Sequence, residues 1–314
     1  MPRPSRLPLS RDKLLLALLL LCCSSWASAQ SLSIGIRGHV VQQKIFSLFT
    51  KPGEEMQLDV SSHEAGSLRL LRDGKVYGQR LEGQWVFNVP DLPGLYSLRL
   101  ESLQNNRTMQ LNLFVGQALS HDGDEKLNAY RIGPAPPGNK KHPANYSPPE
   151  VFFEVTADNI DTRLSEHFTL RQFLCKQKSA YPKYVVIQES LLVLLEGLLE
   201  AVVQAGYPAE TFGIISGYRT PWYNKSIGNV PNSRHVYGDA MDFYVDVDGD
   251  GNMDDLNGDG QRNRADVELL FQIVENFKRQ KRNALLIGGI GRYSKSSHHG
   301  GFVHVDARGY KARW

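Results

Sequence analysis

The 314-residue chain carries 36 Lys and Arg against 33 Asp and Glu, with 41% apolar and 22% charged residues. That mix excludes an intrinsically disordered chain, and the length favours two domains over one. The net charge of +3 sits in the first 29 residues, where Arg3, Arg6, Arg11 and Lys13 face one acid, Asp12. The balanced remainder gives no electrostatic reason to expect a nucleic-acid or anionic-membrane partner.

Those basic residues precede an apolar run, Leu14 to Cys23, and then the small residues Ala27-Ser28-Ala29. This order predicts a signal peptide over residues 1–29, cleaved before Gln30. The apolar run is shorter than the ~20 residues that cross a bilayer, so no membrane anchor is expected after cleavage. Leu21 stands before Cys22 where a lipoprotein would want a small residue. Export follows, to the periplasm in preference to the medium, because no wall-sorting signal is visible. Cys22 and Cys23 leave with the signal. Cys175, in Phe173-Leu174-Cys175, is then the sole thiol, and its apolar neighbours predict a buried structural residue.

Residues 30–118 read as a small all-β domain. Runs such as Ser67-Leu68-Arg69-Leu70-Leu71 and Tyr96-Ser97-Leu98-Arg99-Leu100 alternate with a period of two. Turn signals at Lys51-Pro52-Gly53, Asp73-Gly74 and Leu92-Pro93-Gly94 separate them. The spacing predicts an immunoglobulin-like β-sandwich that binds, spaces or positions its neighbour, with a protein partner as one use. Residues 119–150, rich in Gly, Pro, Asn and Lys, predict a linker or wrapping segment. Residues 151–314 read as a mixed α+β domain. Helices are predicted over His167–Gln177, Val185–Ala205 and Val267–Lys278. Strands are predicted at Phe212–Tyr218, Ala240–Val245, Leu285–Ile290 and Phe302–Val305.

In Ser233-Arg234-His235-Val236-Tyr237-Gly238-Asp239-Ala240-Met241-Asp242, His235 and Asp242 lie seven residues apart with Gly and Ala between them. A loop can turn into a strand there with both side chains facing one point, and His304 in Phe302-Val303-His304-Val305-Asp306 offers a third group. Two imidazoles and a carboxylate suit Zn²⁺ with a fourth position left to water. Taken singly, each residue also has an ordinary structural explanation.

The pattern Ser-x-His-x-x-Gly-x-Ala-x-Asp from Ser233 to Asp242, with a downstream His on a strand, resembles the zinc D-alanyl-D-alanine peptidase family. The upstream Ser216-Gly217-Tyr218-Arg219-Thr220-Pro221, with Asn224, is similar too. The resemblance spans about residues 150–314. It implies that His235, Asp242 and His304 are zinc ligands, and that Arg219 holds a substrate carboxylate or the oxyanion. Many relatives place an acidic base three positions before the last ligand, where this chain has Gly301. The base then falls to His299, with His298 beside it, or to Asp306, which could instead orient a ligand imidazole.

A second feature lies at 246–266, just after Asp242. Asp255, Asn257, Asp259, Gln261 and Asp266, with Gly260, follow the order of an EF-hand-type loop and predict Ca²⁺. Asp246, Asp248 and Asp250, with Gly251, fit the start of a similar loop that overlaps the first. A solvated acidic loop is the competing explanation.

The resulting expectation is an exported zinc peptidase cutting stem peptides or cross-links of peptidoglycan, as an endopeptidase or a carboxypeptidase. The alternative is a non-catalytic cell-wall scaffold that keeps the metal.

Overall fold

The computed structural model describes residues 32–60, 68–119, 125–297 and 299–314. The predicted signal peptide and His298 lie outside them. No helix among the described residues is long and apolar enough to cross a membrane.

The first part is built from two five-stranded sheets. One runs in the order His39–Val41, Ile34–Ile36, Glu55–Val60, Gln84–Asn88, Gln79–Leu81, all antiparallel. The other runs Ile45–Thr50, Thr108–Val115, Gly94–Ser102, Leu68–Arg72, Lys75–Val76, with its first pair parallel. The period-two pattern decides which face is buried. Met56, Leu58 and Val60 point into the core while Glu55, Gln57 and Asp59 face out. Asp73-Gly74 closes a two-residue hairpin with both residues at positive φ, as such a turn requires.

The segment between the two parts is a strap rather than a free linker. It forms a short hairpin, Lys126–Leu127 with Tyr130–Arg131, and a 3₁₀ turn at Pro143–Tyr146. Its carbonyls then accept from the second part: Ile132 O from Trp222 N–H at 2.9 Å, Asn145 O from Arg234 Nη1 at 2.6 Å.

Three helices, α1 (Glu189–Gln204), α2 (Pro221–Ser226) and α3 (Arg264–Arg279), accompany a five-stranded sheet in the second part. The sheet order is Gly213–Ser216, Ala240–Tyr244, Phe302–Asp306, Gly289–Tyr293, Ala312–Arg313. Helix α1 starts four residues later than its apolar periodicity predicts. The β-branched run Val185-Val186-Ile187 stays extended, with Val185 paired to Phe153 in a strand. The helix predicted over His167–Gln177 is confined to a 3₁₀ turn at Leu170–Phe173, stapled by a Thr169–Gln172 capping box. The strand predicted at Leu285–Ile290 is shifted to Gly289–Tyr293, and a 3₁₀ turn takes 281–286.

The two parts share one apolar core. Phe49 packs edge-on against Phe153 at 5.1 Å, and Gln117–Ala118 pairs with Val151–Phe152. Arg37 reaches the buried Glu189 carboxylate at 2.8 Å, and the Phe49 N–H donates to the same oxygen at 2.9 Å. Cys175 is buried, and desolvation pushes its thiol above the ordinary range.

Candidate metal centre

Sheet register assembles the centre. Ser216 faces Asp242, Asp242 faces His304, and His304 faces Gly291, one row across four strands. Asp306 follows His304 by two residues and so projects from the same face. His235 arrives from the 3₁₀ turn Arg234–Tyr237 that leads into Asp242's strand. Gly238 makes that entry possible: it has φ +76°, and a Cβ there would lie 2.5 Å from the Val186 carbonyl oxygen. Arg234 fixes the turn from beneath, forked onto Asp239 and stacked between the Tyr146 and Tyr237 rings at 4.6 Å each.

His235, Asp242 and His304 are all buried, and their donor atoms lie within 4.8 Å of one another. Each imidazole has one nitrogen held by the protein. His235 Nδ1 meets the Gly217 carbonyl at 2.7 Å, which makes it the protonated nitrogen and leaves Nε2 facing Asp242 Oδ2 at 3.2 Å. His304 Nε2 meets Asp306 Oδ2 at 3.1 Å, and its Nδ1 faces Asp242 Oδ1 at 2.7 Å. Two imidazole lone pairs and one carboxylate therefore converge, a donor set that fits a zinc ion.

The electrostatics favour the ligating form of Asp242 and His235, whereas His304 holds a proton that a metal ion would have to displace. Burial alone would raise the Asp242 carboxyl, but His235 and His304 hold it well below the usual range. Burial lowers His235 despite its carboxylate neighbour, which favours the neutral, ligating form. His304 is also pulled down by burial, but hydrogen bonds to Asp242 and Asp306 outweigh that and hold it up at about 9.

The cluster opens on a cleft of about 510 Å³ that Arg219, His299, Tyr293, Phe302, Arg308 and Trp314 help to line. Arg219 donates from Nη2 to Asp242 Oδ2 at 2.7 Å and from Nε to Ser216 Oγ at 2.8 Å, so its first task is to hold the central carboxylate. His299 Nδ1 meets the Gly300 carbonyl at 2.8 Å, which leaves Nε2 as an acceptor. The absence of an acid at position 301 has a packing reason. A Cβ on Gly301 would lie 2.6 Å from Val267 Cγ2 and 3.2 Å from Met253 Sδ.

Asp306 has no exposed surface and accepts from Gly289 N–H, Arg308 N–H, the Arg308 guanidinium and His304. This corrects the expectation that it could serve as base, because the carboxylate lies behind the imidazole with its oxygens already bonded. Arg234, Arg308 and the Tyr293–Phe302–Trp314 wall were not anticipated. Spacing alone carried a signal only for Arg308, in His304-x-Asp306-x-Arg308.

In the insertion, the carboxylates of Asp246, Asp248 and Asp254 gather within 4.8 Å. Partial burial, with Asp248 and Asp246 nearby, pushes the Asp254 carboxyl up. Asp250 turns instead to Arg262, at 2.5 Å. The longer loop is arranged differently. Asp255 accepts from Gly258, Asp259 and Gly260 N–H groups, while Asp259 Oδ1 accepts from the Gln261 N–H and Oδ2 from Asn257 Nδ2. Asp266, expected as its last ligand, is buried and caps backbone N–H groups of Leu256, Asn257 and Asn263. It closes the start of α3 in a capping box with Asn263.

Comparison with known proteins bears on the second part alone. The model of a family described as Peptidase M15 matches residues 166–257. That segment holds Arg219, His235 and Asp242 but stops short of His304, which joins them through the sheet. No curated protein matches the chain. Among solved structures, the crystal structure of the titin M3 domain aligns over 28% of this chain and all of its own. Its identity of 13% and TM-score of 0.18 carry no structural argument. The family match and the buried cluster together support a metallopeptidase of the M15 kind in the second part of the chain.

Proposed function

We propose that this protein is an exported zinc peptidase acting on stem peptides or cross-links of peptidoglycan, with His235, Asp242 and His304 as the zinc ligands. The observation that carries the reading is the convergence of three buried donors whose other atoms are held by the protein, at the foot of an open cleft. Zinc bound there would polarise a substrate carbonyl and acidify water.

The chain's own groups do the rest. His299 Nε2 accepts the proton of the attacking water and returns it to the leaving amine. Arg219 keeps Asp242 oriented, and its Nη1, with no hydrogen bond among the described residues, is left for a substrate oxygen. Asp306 holds His304 in the ligating tautomer.

An endopeptidase is preferred to a carboxypeptidase, because an added β module suits an enzyme working on a polymer. Residues 30–118 are proposed as that module, immunoglobulin-like and positioning the enzyme on the wall or a partner. A structural Ca²⁺ in the insertion completes the proposal, with Asp246, Asp248 and Asp254 as its carboxylates. The second reading, a scaffold that keeps zinc without turnover, rests on Gly301.

The test is digestion of purified peptidoglycan with mass-spectrometric product analysis, beside His235→Ala and a chelated sample. Loss of cross-linked dimers, absent in both controls, is the expected result, and release of terminal D-alanine would make it a carboxypeptidase. A zinc-loaded protein that releases nothing would favour the scaffold.

A further inference from the structure

Behind His304 lies a layer of side chains that the ligand set does not include. Arg308 donates its backbone N–H to Asp306 Oδ1 at 3.1 Å, Nε to the same oxygen at 2.8 Å and Nη2 to Oδ2 at 2.5 Å. A two-pronged guanidinium contact of this kind fixes the plane of a carboxylate as well as its charge. Asp306 Oδ2 is also the oxygen that meets His304 Nε2. Lys278 Nζ bonds the Asp306 carbonyl at 2.6 Å from below, so backbone and side chain of Asp306 are both anchored.

The neighbouring strand is shaped to receive this layer. A Cβ on Gly289 would collide with Asp306 Oδ2 and lie 3.0 Å from Arg308 Nη2. One on Gly288 would collide with the Asp306 carbonyl, and one on Gly291 with the Trp314 indole. Trp314 lies over Arg308 at 5.4 Å and against His304 at 5.1 Å, closing the layer toward the cleft. Three glycines in four positions leave the room that the Asp306–Arg308 pair and its aromatic cover occupy.

We propose that Arg308 is a positioning residue for metal binding, acting through Asp306 to hold the His304 ring with Nδ1 presented to the ligand point. The inference rests on the metal-site reading above. It separates Arg308 from two simpler roles. A substrate-binding arginine in the cleft would change KM and leave metal affinity alone, and a purely structural ion pair would change thermal stability and leave metal affinity alone.

The experiment is zinc affinity of the stripped full chain, by competition with a chromophoric chelator, for wild type, Arg308→Gln, Arg308→Lys, Asp306→Asn and the Asp306→Asn/Arg308→Gln double variant. Loss of a partner that orients a ligand imidazole weakens metal binding by roughly 10–100-fold. Asp306→Asn should fall in that range, Arg308→Gln near its lower end, and Arg308→Lys between Arg308→Gln and wild type. The double variant should bind no more weakly than Asp306→Asn, because the arginine acts through the carboxylate. Affinity within twofold of wild type in Arg308→Gln, or additive losses in the double variant, would overturn the inference. Should Arg308→Gln fail to fold, Arg308→Lys decides by the same criterion. A wild-type chain that takes up no zinc would instead sink the metal-site reading itself.

Discussion

Two clusters of potential metal donors lie within one stretch of this chain, and they differ in what their second atoms do. At His235, Asp242 and His304, the nitrogen not aimed at the common point is tied to Gly217 or Asp306, and the carboxylate is steadied by Arg219. In the 246–266 insertion, many carboxylate oxygens are turned onto the loop's own N–H groups or onto Arg262. The first cluster is buried and held from outside; the second is only partly buried and held largely by its own loop. A donor's identity and spacing are therefore a weaker guide to a metal site than the partner that fixes its remaining atom.

The largest expected effect lies in the first cluster. His235→Ala or His304→Ala should abolish zinc uptake and lower hydrolysis by roughly 10³-fold, about 4 kcal/mol of transition-state stabilisation. Steady-state rates measured beside Asp250→Asn, which should stay within about twofold of wild type, would sharpen the contrast. Equal losses in both would break it.

Next comes a pH effect from the same buried region. Burial lowers Lys278 from 10.5 to about 8, although Asp306 opposes the shift. Between those values the unfolded chain binds more protons than the folded one, so stability should rise as pH climbs from about 8 to 10.5. The gain is at most roughly 3 kcal/mol, and urea titrations of Lys278→Met should lack it. Parallel curves for the two proteins would show that the ammonium is not desolvated in solution.

A smaller effect is expected at the end of the insertion. Asp266→Ala removes the acceptor of three N–H groups and should cost about 2 kcal/mol, against about 1 kcal/mol for Asn263→Ala. Neither should alter zinc affinity. Smallest of all, Asp246→Asn should change stability by no more than about 0.5 kcal/mol without calcium. Millimolar Ca²⁺ should raise the melting temperature of wild type and not of this variant. No rise in wild type would leave the insertion a solvated acidic loop.

How much of this could be read beforehand depended on whether the information was local. The His235-to-Asp242 spacing is legible because a short turn into a strand determines both directions, and the alternation in Glu55–Val60 is equally local. Where neighbours compete, the reading slipped. Val185 to Ile187 fit a helical stripe, but Val185 is taken by a strand partner 32 residues upstream, Phe153, and the run stays extended. Asp266 fit the twelfth position of a calcium loop, yet a helix start with unsatisfied N–H groups claimed it. The support of His304 was out of reach for the same reason. Its glycine bed at 288–291 acquires meaning only once the two strands are paired.

The most direct test of the central claim is to titrate zinc into the metal-free protein while following cleavage of cross-linked muropeptides. Activity should climb in proportion to zinc and level off at one equivalent per chain. Cleavage that needs no zinc, or none at saturating zinc, would contradict the account.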